Sequence, residues 1–150
     1  MVQKITPNLW FDGNAKEAVD YYVSVFPDSK VVHTAYYPKE GLADFQKDMA
    51  GKELAIEFEL SGMRFTAINA GPEFKFNEAV SFSIACKDQQ EIDYYWEKLS
   101  KVPESEQCGW CKDQFGLSWQ VVPANMEELM QRPNAFANMM QMHKLQIDKF

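Results

Sequence analysis

Glu57 and the cysteine pair Cys108 and Cys111 are the side chains whose type and spacing could do chemistry in this chain. Glu57 lies in the strictly alternating segment 54–60. A carboxylate removed from water on a sheet face can act as a general base or hold a basic ligand. In the alternative, Glu57 lies at the surface and pairs with Arg64 across a hairpin, which adds little stability. Glu57 is therefore the candidate catalytic residue.

The spacing Cys108-Gly-Trp-Cys111 is that of redox pairs and of half a zinc site. A redox pair stands where a strand meets a helix N-terminus, whereas here a predicted turn and strand follow. A zinc site needs about two more soft ligands, and Cys86, His33 and His143 are not in paired spacing. We predict ordinary thiols, and histidines that are solvated or lie at an interface.

The acidic balance of the chain excludes several partners. Lys and Arg number 15 against 22 Asp and Glu, a net charge of −7, so no basic surface is available to neutralise phosphates. Nucleic acid and membrane surfaces are therefore not expected as partners. No apolar run approaches the ~18 residues of a membrane span, and the first residues lack an apolar signal region. We expect a cytoplasmic protein.

A repeated phrase reveals the organisation of the chain. Val-Asp-Tyr-Tyr at 19–22 returns 73 residues later as Ile-Asp-Tyr-Tyr at 92–95, and a short apolar strand precedes each copy. This predicts two similar modules, about 1–72 and 73–123, with a helical extension at 124–150. The length of 150 residues suits a single domain over the whole of 1–150.

Hydrophobic periodicity gives each module the order βαβββ, abbreviated in the second. Asn14 is the predicted N-cap of the first helix. The methionine-rich extension is expected to pack on its own domain or on a second subunit. The predicted strands are about 7–11, 30–37, 54–60, 63–69, 79–86, an arm beginning at 110, and 117–123; the predicted helices are about 14–25, 88–99, 126–130 and 135–149.

Three stretches carry a resemblance to a known family. Residues 7–14, 18–22 and above all 108–123 resemble the PhnB-like branch of the vicinal oxygen chelate superfamily, which includes glyoxalase I, bleomycin-resistance proteins and extradiol dioxygenases. Members of this branch often carry the label 3-demethylubiquinone-9 3-methyltransferase domain. The resemblance implies an α+β fold of paired βαβββ modules, whose curved mixed sheets form a cup, with a C-terminal helix and a homodimeric assembly.

Strand alternation predicts which side chains line the concave faces, because successive residues point to opposite sides of a sheet. Trp10 could stack on a planar or cationic ligand, or else form part of the core or a dimer contact. Trp110 and Trp119 are predicted to be packing residues. The predicted ligand-binding side chains are Asn8, Trp10, Glu57, Ser81, Ser83, Ser118 and Gln120.

The metal-dependent relatives imply four inward ligands, and here those positions fall on Pro7 or Asn8, Glu57, Ser81 and Gln120. Glu57 alone is a strong ligand, whereas transition metals prefer imidazole or thiolate. We therefore expect no metal and no cofactor.

The expected function is that of a metal-free small-molecule-binding protein of the glyoxalase and bleomycin-resistance type, with an unknown ligand. The alternatives are an isomerase or transferase that uses Glu57 as its base, and a structural dimer with a vestigial cup. The methyltransferase label implies S-adenosylmethionine, but the glycines are isolated and form no G-x-G motif to admit that cofactor.

Overall fold

The computed structural model describes residues 3–150, and residue contacts divide the chain into a first unit that ends at Lys75 and a second unit, Phe76–Phe150. Within the described residues, no helix is long and apolar enough to cross a membrane. The first unit contains β1 Asn8–Asp12, α1 Ala15–Val25, β2 Lys30–Tyr36, β3 Glu53–Leu60 and β4 Met63–Ala70.

The first unit is a four-stranded sheet in the order β1-β4-β3-β2, with α1 packed on one face. β1 and β4 are parallel, and the other pairs are antiparallel. The β3–β4 hairpin turns through Ser61 and Gly62, whose φ angles of 48° and 89° match the twist of a tight two-residue turn. The buried stripe of α1 consists of Ala15, Ala18, Val19, Tyr22 and Val25.

Helix α1 is capped from a distance. Asn14 occupies the N-cap position, as predicted, although its side chain makes no capping hydrogen bond within residues 3–150. The buried Asn69 on β4 accepts the Ala15 N–H instead, at 3.1 Å, and its amide donates to the Glu53 carbonyl at 2.9 Å. One buried amide therefore joins helix α1 to two strands of the sheet.

The second unit repeats the plan with one strand fewer. It contains β5 Ser81–Cys86, α2 Gln89–Leu99, β6 Trp110–Lys112 and β7 Ser118–Pro123, and its sheet has the order β5-β7-β6. β5 and β7 are parallel, as β1 and β4 are. Between α2 and β6, the chain forms a short 3₁₀ turn at Pro103–Ser105 in place of a fourth strand.

The methionine-rich extension is less helical than predicted. Helices α3, Met126–Leu129, and α4, Ala135–Met139, are followed by turns and a 3₁₀ segment, Ile147–Lys149, so the expected helix over 135–149 ends ten residues early. The segment nevertheless packs on its own unit. Its buried cluster consists of Leu129, Ala135, Met142, Leu145 and Phe150.

The α+β class, with two mixed sheets and C-terminal helices, is confirmed. Helices α1 and α2 form because each has an apolar stripe that a sheet face can bury. The strands alternate because each sheet has one face covered by its helix.

Candidate functional site

The uncovered face of the first sheet carries a row of four side chains across its strands. In register, Asn8 lies beside Thr66, Thr66 beside Glu57, and Glu57 beside His33. Directly opposed residues point to the same face of a sheet. The row therefore brings the predicted residues Asn8 and Glu57 onto one face and adds His33, which the sequence placed at the surface or an interface.

Glu57 is half-buried and makes no side-chain hydrogen bond or ion pair with any residue of 3–150. The predicted alternative, a pair with Arg64, is wrong, because Arg64 donates to Glu59 at 3.0 Å. Arg64 faces Glu59 in the hairpin register, whereas Glu57 faces Thr66. The hairpin register thus leaves the Glu57 carboxylate available.

Trp10 lies on this face in a fixed orientation. Its indole N–H donates to the Gly71 carbonyl at 2.9 Å, and the ring of Phe74 meets it edge-on, with centroids 4.8 Å apart and planes at 78°. Trp10 is half-buried and Phe74 is 64% exposed. The pair forms an aromatic surface at the rim of the first sheet. Asn8 is exposed, and its amide donates to the Thr6 carbonyl at 2.9 Å.

The face of the second sheet that points away from α2 carries a corresponding row. Ser81 lies beside Ser118, and Ser118 lies beside Lys112. Two residues further along the same strands, Ser83 lies beside Gln120. The Gln120 amide donates to the Ser81 hydroxyl at 2.9 Å, which shows that these two side chains share the face. Ser83 is exposed.

Ser118 is the unusual member of this row. The residue is 1% exposed, and within residues 3–150 its hydroxyl has no hydrogen-bond partner. A buried polar group without a partner lowers stability by about 1–3 kcal/mol. Such groups are infrequent in folded proteins and call for a reason.

Lys112 was missed by the sequence reasoning. Its side chain, 23% exposed, forms an ion pair with Glu78, in the segment before β5, and the hydrogen bond from Lys112 lowers the pKa of the Glu78 carboxyl. Alternation along the hairpin arm places Lys112 two residues beyond Trp110, and that signal could have assigned it to this face.

One buried carboxylate, that of Asp113, organises the motif 108–123 through hydrogen bonds. Asp113 accepts the Phe115 and Leu117 N–H groups at 2.8 and 3.1 Å, and the Trp119 indole N–H at 2.9 Å. Asp113 is fully buried and Trp119 is 3% exposed. The most specific block of the resemblance thus folds a loop and seats Trp119 in the core, as predicted for that residue.

The three cysteines are free. Burial raises the pKa of the Cys86 thiol to about 12, and burial, with the nearby Asp113 and Glu106 carboxylates, raises the pKa of Cys111 to about 12. Thiols with such pKa values stay protonated at neutral pH and are poor nucleophiles. Cys111 is therefore not suited to be the nucleophile of a Cys108–Cys111 pair.

The donor atoms at the predicted positions do not fit a divalent metal ion. The first unit supplies an amide whose N–H is already bonded and the Glu57 carboxylate, and the second supplies the Ser81 hydroxyl bonded to Gln120. In the described part of the chain, His, Cys, Asp and Glu side chains do not gather in groups of three or more that could hold a metal. Neutral hydroxyls and amides are weak ligands for transition metals.

Two open hollows in the second unit lie beside other residues. One, of about 540 Å³, lies beside Trp96, Glu106, His143 and Lys144, and another, of about 620 Å³, lies beside Asp88 and Arg132. Neither is lined by the predicted binding residues.

Comparison with known proteins identifies relatives of this chain. The family model described as 3-demethylubiquinone-9 3-methyltransferase matches residues 3–122. A PhnB protein from Bacillus cereus is 32% identical over 81% of this chain and 100% of its own, with a TM-score of 0.66. Among curated proteins, nothing matches.

Two more distant structures show the fold alone. A protein from Pseudomonas aeruginosa is 18% identical, covers 80% of this chain and 96% of its own, and has a TM-score of 0.52. A fosfomycin resistance protein from Listeria monocytogenes, solved with Mn(II) and a dihydroxypropylphosphonic acid, is 11% identical over 87% of this chain and 100% of its own, with a TM-score of 0.50.

Proposed function

The chain belongs to the 3-demethylubiquinone-9 3-methyltransferase family, in the PhnB-like branch of the vicinal oxygen chelate superfamily, and we propose that it binds a small organic molecule without a metal ion. The observation that carries the proposal is the buried Ser118 hydroxyl that has no partner within residues 3–150. A ligand that displaces the side chains covering this hydroxyl would supply the missing hydrogen bond.

The neighbours of Ser118 support binding rather than a packing defect. Ser81 and Gln120 share the face and are already bonded to each other, so Ser118 lies beside a preorganised polar pair. Binding sites combine an apolar wall with a few fixed polar groups.

Metal independence rests on the donor chemistry of the chain. The ligand positions that the family resemblance implies hold, in this chain, one carboxylate with hydroxyls and amides, which suit a transition metal poorly. The ligand is held by hydrogen bonds instead.

The test is a ligand screen on EDTA-treated protein, read by thermal shift and then by titration. We expect a neutral or charged organic compound to bind the metal-free protein, and Ser118→Ala to weaken its binding about tenfold, the equivalent of one hydrogen bond. The matched control Ser24→Ala removes an exposed hydroxyl of the first unit and should leave affinity unchanged. Binding that requires an added divalent cation would contradict the proposal.

A second candidate function is catalysis with Glu57 as general base. Its carboxylate is half-buried, has no partner within residues 3–150, and lies opposite His33 on the same sheet face. A base with these features could move a proton on a bound substrate in an isomerisation or group transfer.

The substitution Glu57→Gln distinguishes binding from catalysis, because glutamine keeps the shape of the side chain but cannot act as a base. If the chain is an enzyme, kcat for a screened compound that turns over falls by about 10²–10⁴-fold, with little change in binding. Glu59→Gln is the matched control, since Glu59 lies on the same strand as Glu57 and is paired with Arg64. Equal activity of Glu57→Gln and wild type would remove this candidate.

Methyl transfer, the activity in the family description, is the remaining enzymatic reading. It needs a site for S-adenosylmethionine, and the isolated glycines of this chain supply no such loop. Calorimetric titration with S-adenosylmethionine should give no binding heat; saturable binding would reinstate the transferase.

We also propose a cytoplasmic homodimer. Large apolar side chains are exposed on each unit, among them Ile5 and Phe45 in the first and Phe136 in the second, and a second copy of the chain could cover them. Free cysteines are usual in reducing compartments. Light scattering should give twice the mass of one chain; a monomer at all concentrations would contradict the assembly.

A further inference from the structure

We propose that the ligand carries an acidic group, received by the Lys112 ammonium and the Ser118 hydroxyl, and that Glu78 occupies Lys112 until that group binds. This inference rests on the proposed small-molecule binding and names the chemical class of the ligand.

Lys112 is positioned to share a ligand atom with Ser118. The two residues are directly opposed in the β6–β7 register, and opposed residues have Cβ atoms about 4.5–5.5 Å apart on the same face. The Lys112 side chain is only 23% exposed, so most of its length packs against the protein.

The side chains on this face are hydrogen-bond donors. Ser81 accepts from Gln120, which leaves its own hydrogen available, and the Ser118 hydroxyl has no partner within residues 3–150. Lys112 is the sole charged residue in strands β5, β6 and β7. A face of hydroxyls beside one ammonium is complementary to carboxylate oxygens, which accept charge-assisted hydrogen bonds.

Glu78 already presents a carboxylate to Lys112. It comes from the segment before β5 and is 61% exposed, so water replaces its contacts when it leaves. An ion pair with one partner largely in water contributes little stability, so it presents a small barrier to exchange. Exchanging Glu78 for a ligand carboxylate keeps Lys112 paired and adds the bond that Ser118 lacks.

The experiment compares aromatic and aliphatic acids with their own amides, which match them in shape and lack the charge. The probes are benzoate, phenylacetate, 3-phenylpropanoate and hexanoate with the corresponding amides, titrated at constant ionic strength. We expect at least one acid to bind wild type about tenfold more tightly than its amide, the equivalent of one charge-assisted bond.

Two variants assign the effect to the pair. Glu78→Gln removes the internal competitor and should tighten acid binding about threefold or more without changing amide binding. Lys112→Gln should abolish the preference for the acid. Glu97→Gln, an exposed carboxylate on α2, changes net charge equally and should have no effect.

Equal affinity for acid and amide would overturn the acidic-ligand inference and leave small-molecule binding intact. So would weaker acid binding by Glu78→Gln, which is expected if the Lys112–Glu78 pair is purely structural. If none of the acids binds at about 10 mM, the inference also fails, whereas the proposed function fails only if the wider screen on metal-free protein finds no ligand.

Discussion

The two units carry opposite charges at equivalent positions of their sheets. In the first sheet, Thr66 has Asn8 on one side and Glu57 on the other; in the second, Ser118 has Ser81 on one side and Lys112 on the other. The 73-residue offset of the repeat relates Asn8 to Ser81. A carboxylate in one unit thus corresponds to an ammonium in the other.

This difference shows which part of a repeat is constrained. The strand register is fixed by backbone pairing and by the apolar face beneath each helix, since a one-residue slip would turn that face to solvent. Side chains on the uncovered face have no such constraint and can diverge. The arrangement of strands is repeated in the two units, whereas the polar side chains on the face opposite the helix differ.

The units also differ in how their loops are held. Asn69, a neutral amide, ties helix α1 to the first sheet, whereas Asp113, a carboxylate, gathers three N–H groups in the second. Hydrogen bonds to a charged acceptor are about twice as strong as neutral ones.

The largest expected effect separates these two side chains. Asp113→Ala leaves the N–H groups of Phe115, Leu117 and Trp119 without their acceptor and should lower the free energy of unfolding by about 4 kcal/mol. Asn69→Ala should cost about 2 kcal/mol. Urea unfolding of both variants measures the difference, and an equal or larger loss for Asn69→Ala would break the comparison.

Alkaline pH should weaken the second unit, which contains all three cysteines. Burial raises the pKa of Cys111 from 9.0 to about 12. The folded thiol keeps its proton while the unfolded one loses it, so this contribution is intact below about pH 9 and is lost as pH rises towards 12. The expected loss is about 3 kcal/mol by pH 11.

The measurement is the free energy of unfolding at pH 8 to 11 for wild type and Cys111→Ala. The variant should show a shallower decline, with a remainder from Cys86, whose pKa is also raised to about 12. Parallel curves for the two proteins would mean that the Cys111 thiol does not contribute.

A gain in stability should mark the candidate site. Ser118→Ala removes a buried hydroxyl that lacks a partner within residues 3–150 and should stabilise the ligand-free protein by about 1 kcal/mol. Ser81→Ala, the matched change on the adjacent strand, removes the acceptor of Gln120 and should destabilise it by a similar amount. Both are read as urea midpoints. A loss of stability in Ser118→Ala would indicate that this hydroxyl is satisfied in the folded protein.

The smallest effect concerns helix capping in the two units. The Asp88 side chain accepts the Glu91 N–H at 2.9 Å at the start of α2, so Asp88→Ala should cost about 1 kcal/mol. Asn14→Ala should cost only about 0.3 kcal/mol, because Asn14 makes no capping bond. Hydrogen exchange of the first turns of α1 and α2 provides the test; equal fraying would contradict the assigned caps.

Local patterns predicted most of the fold because they reflect local constraints. The alternation at 54–60 and the apolar stripe of α1 each require one buried face, and both elements formed within a residue or two of their predicted bounds. The extension at 135–149 has methionines but no sustained stripe, so its packing came from turns that local propensity does not specify.

The candidate site was less accessible to prediction because it depends on register between distant strands. Alternation assigned Ser118 and Gln120 to one face of the sheet. It could not predict tertiary contacts, such as the pairing of Lys112 with Glu78, or the lack of a partner for Ser118 within residues 3–150. Glu57 was paired with the wrong residue for the same reason, since a shift of two positions in the hairpin exchanged Arg64 for Thr66.

The sequence by itself determined the family, the α+β class, the duplicated frame and the division of each strand into a covered and an uncovered face. Periodicity and the repeat encode these because they follow from burial of apolar side chains along one element at a time. Only the tertiary structure decided which polar side chains found partners. Among the described residues, three N–H groups donate to Asp113 and no group bonds the Ser118 hydroxyl. That outcome depends on atoms brought together from separate strands and loops.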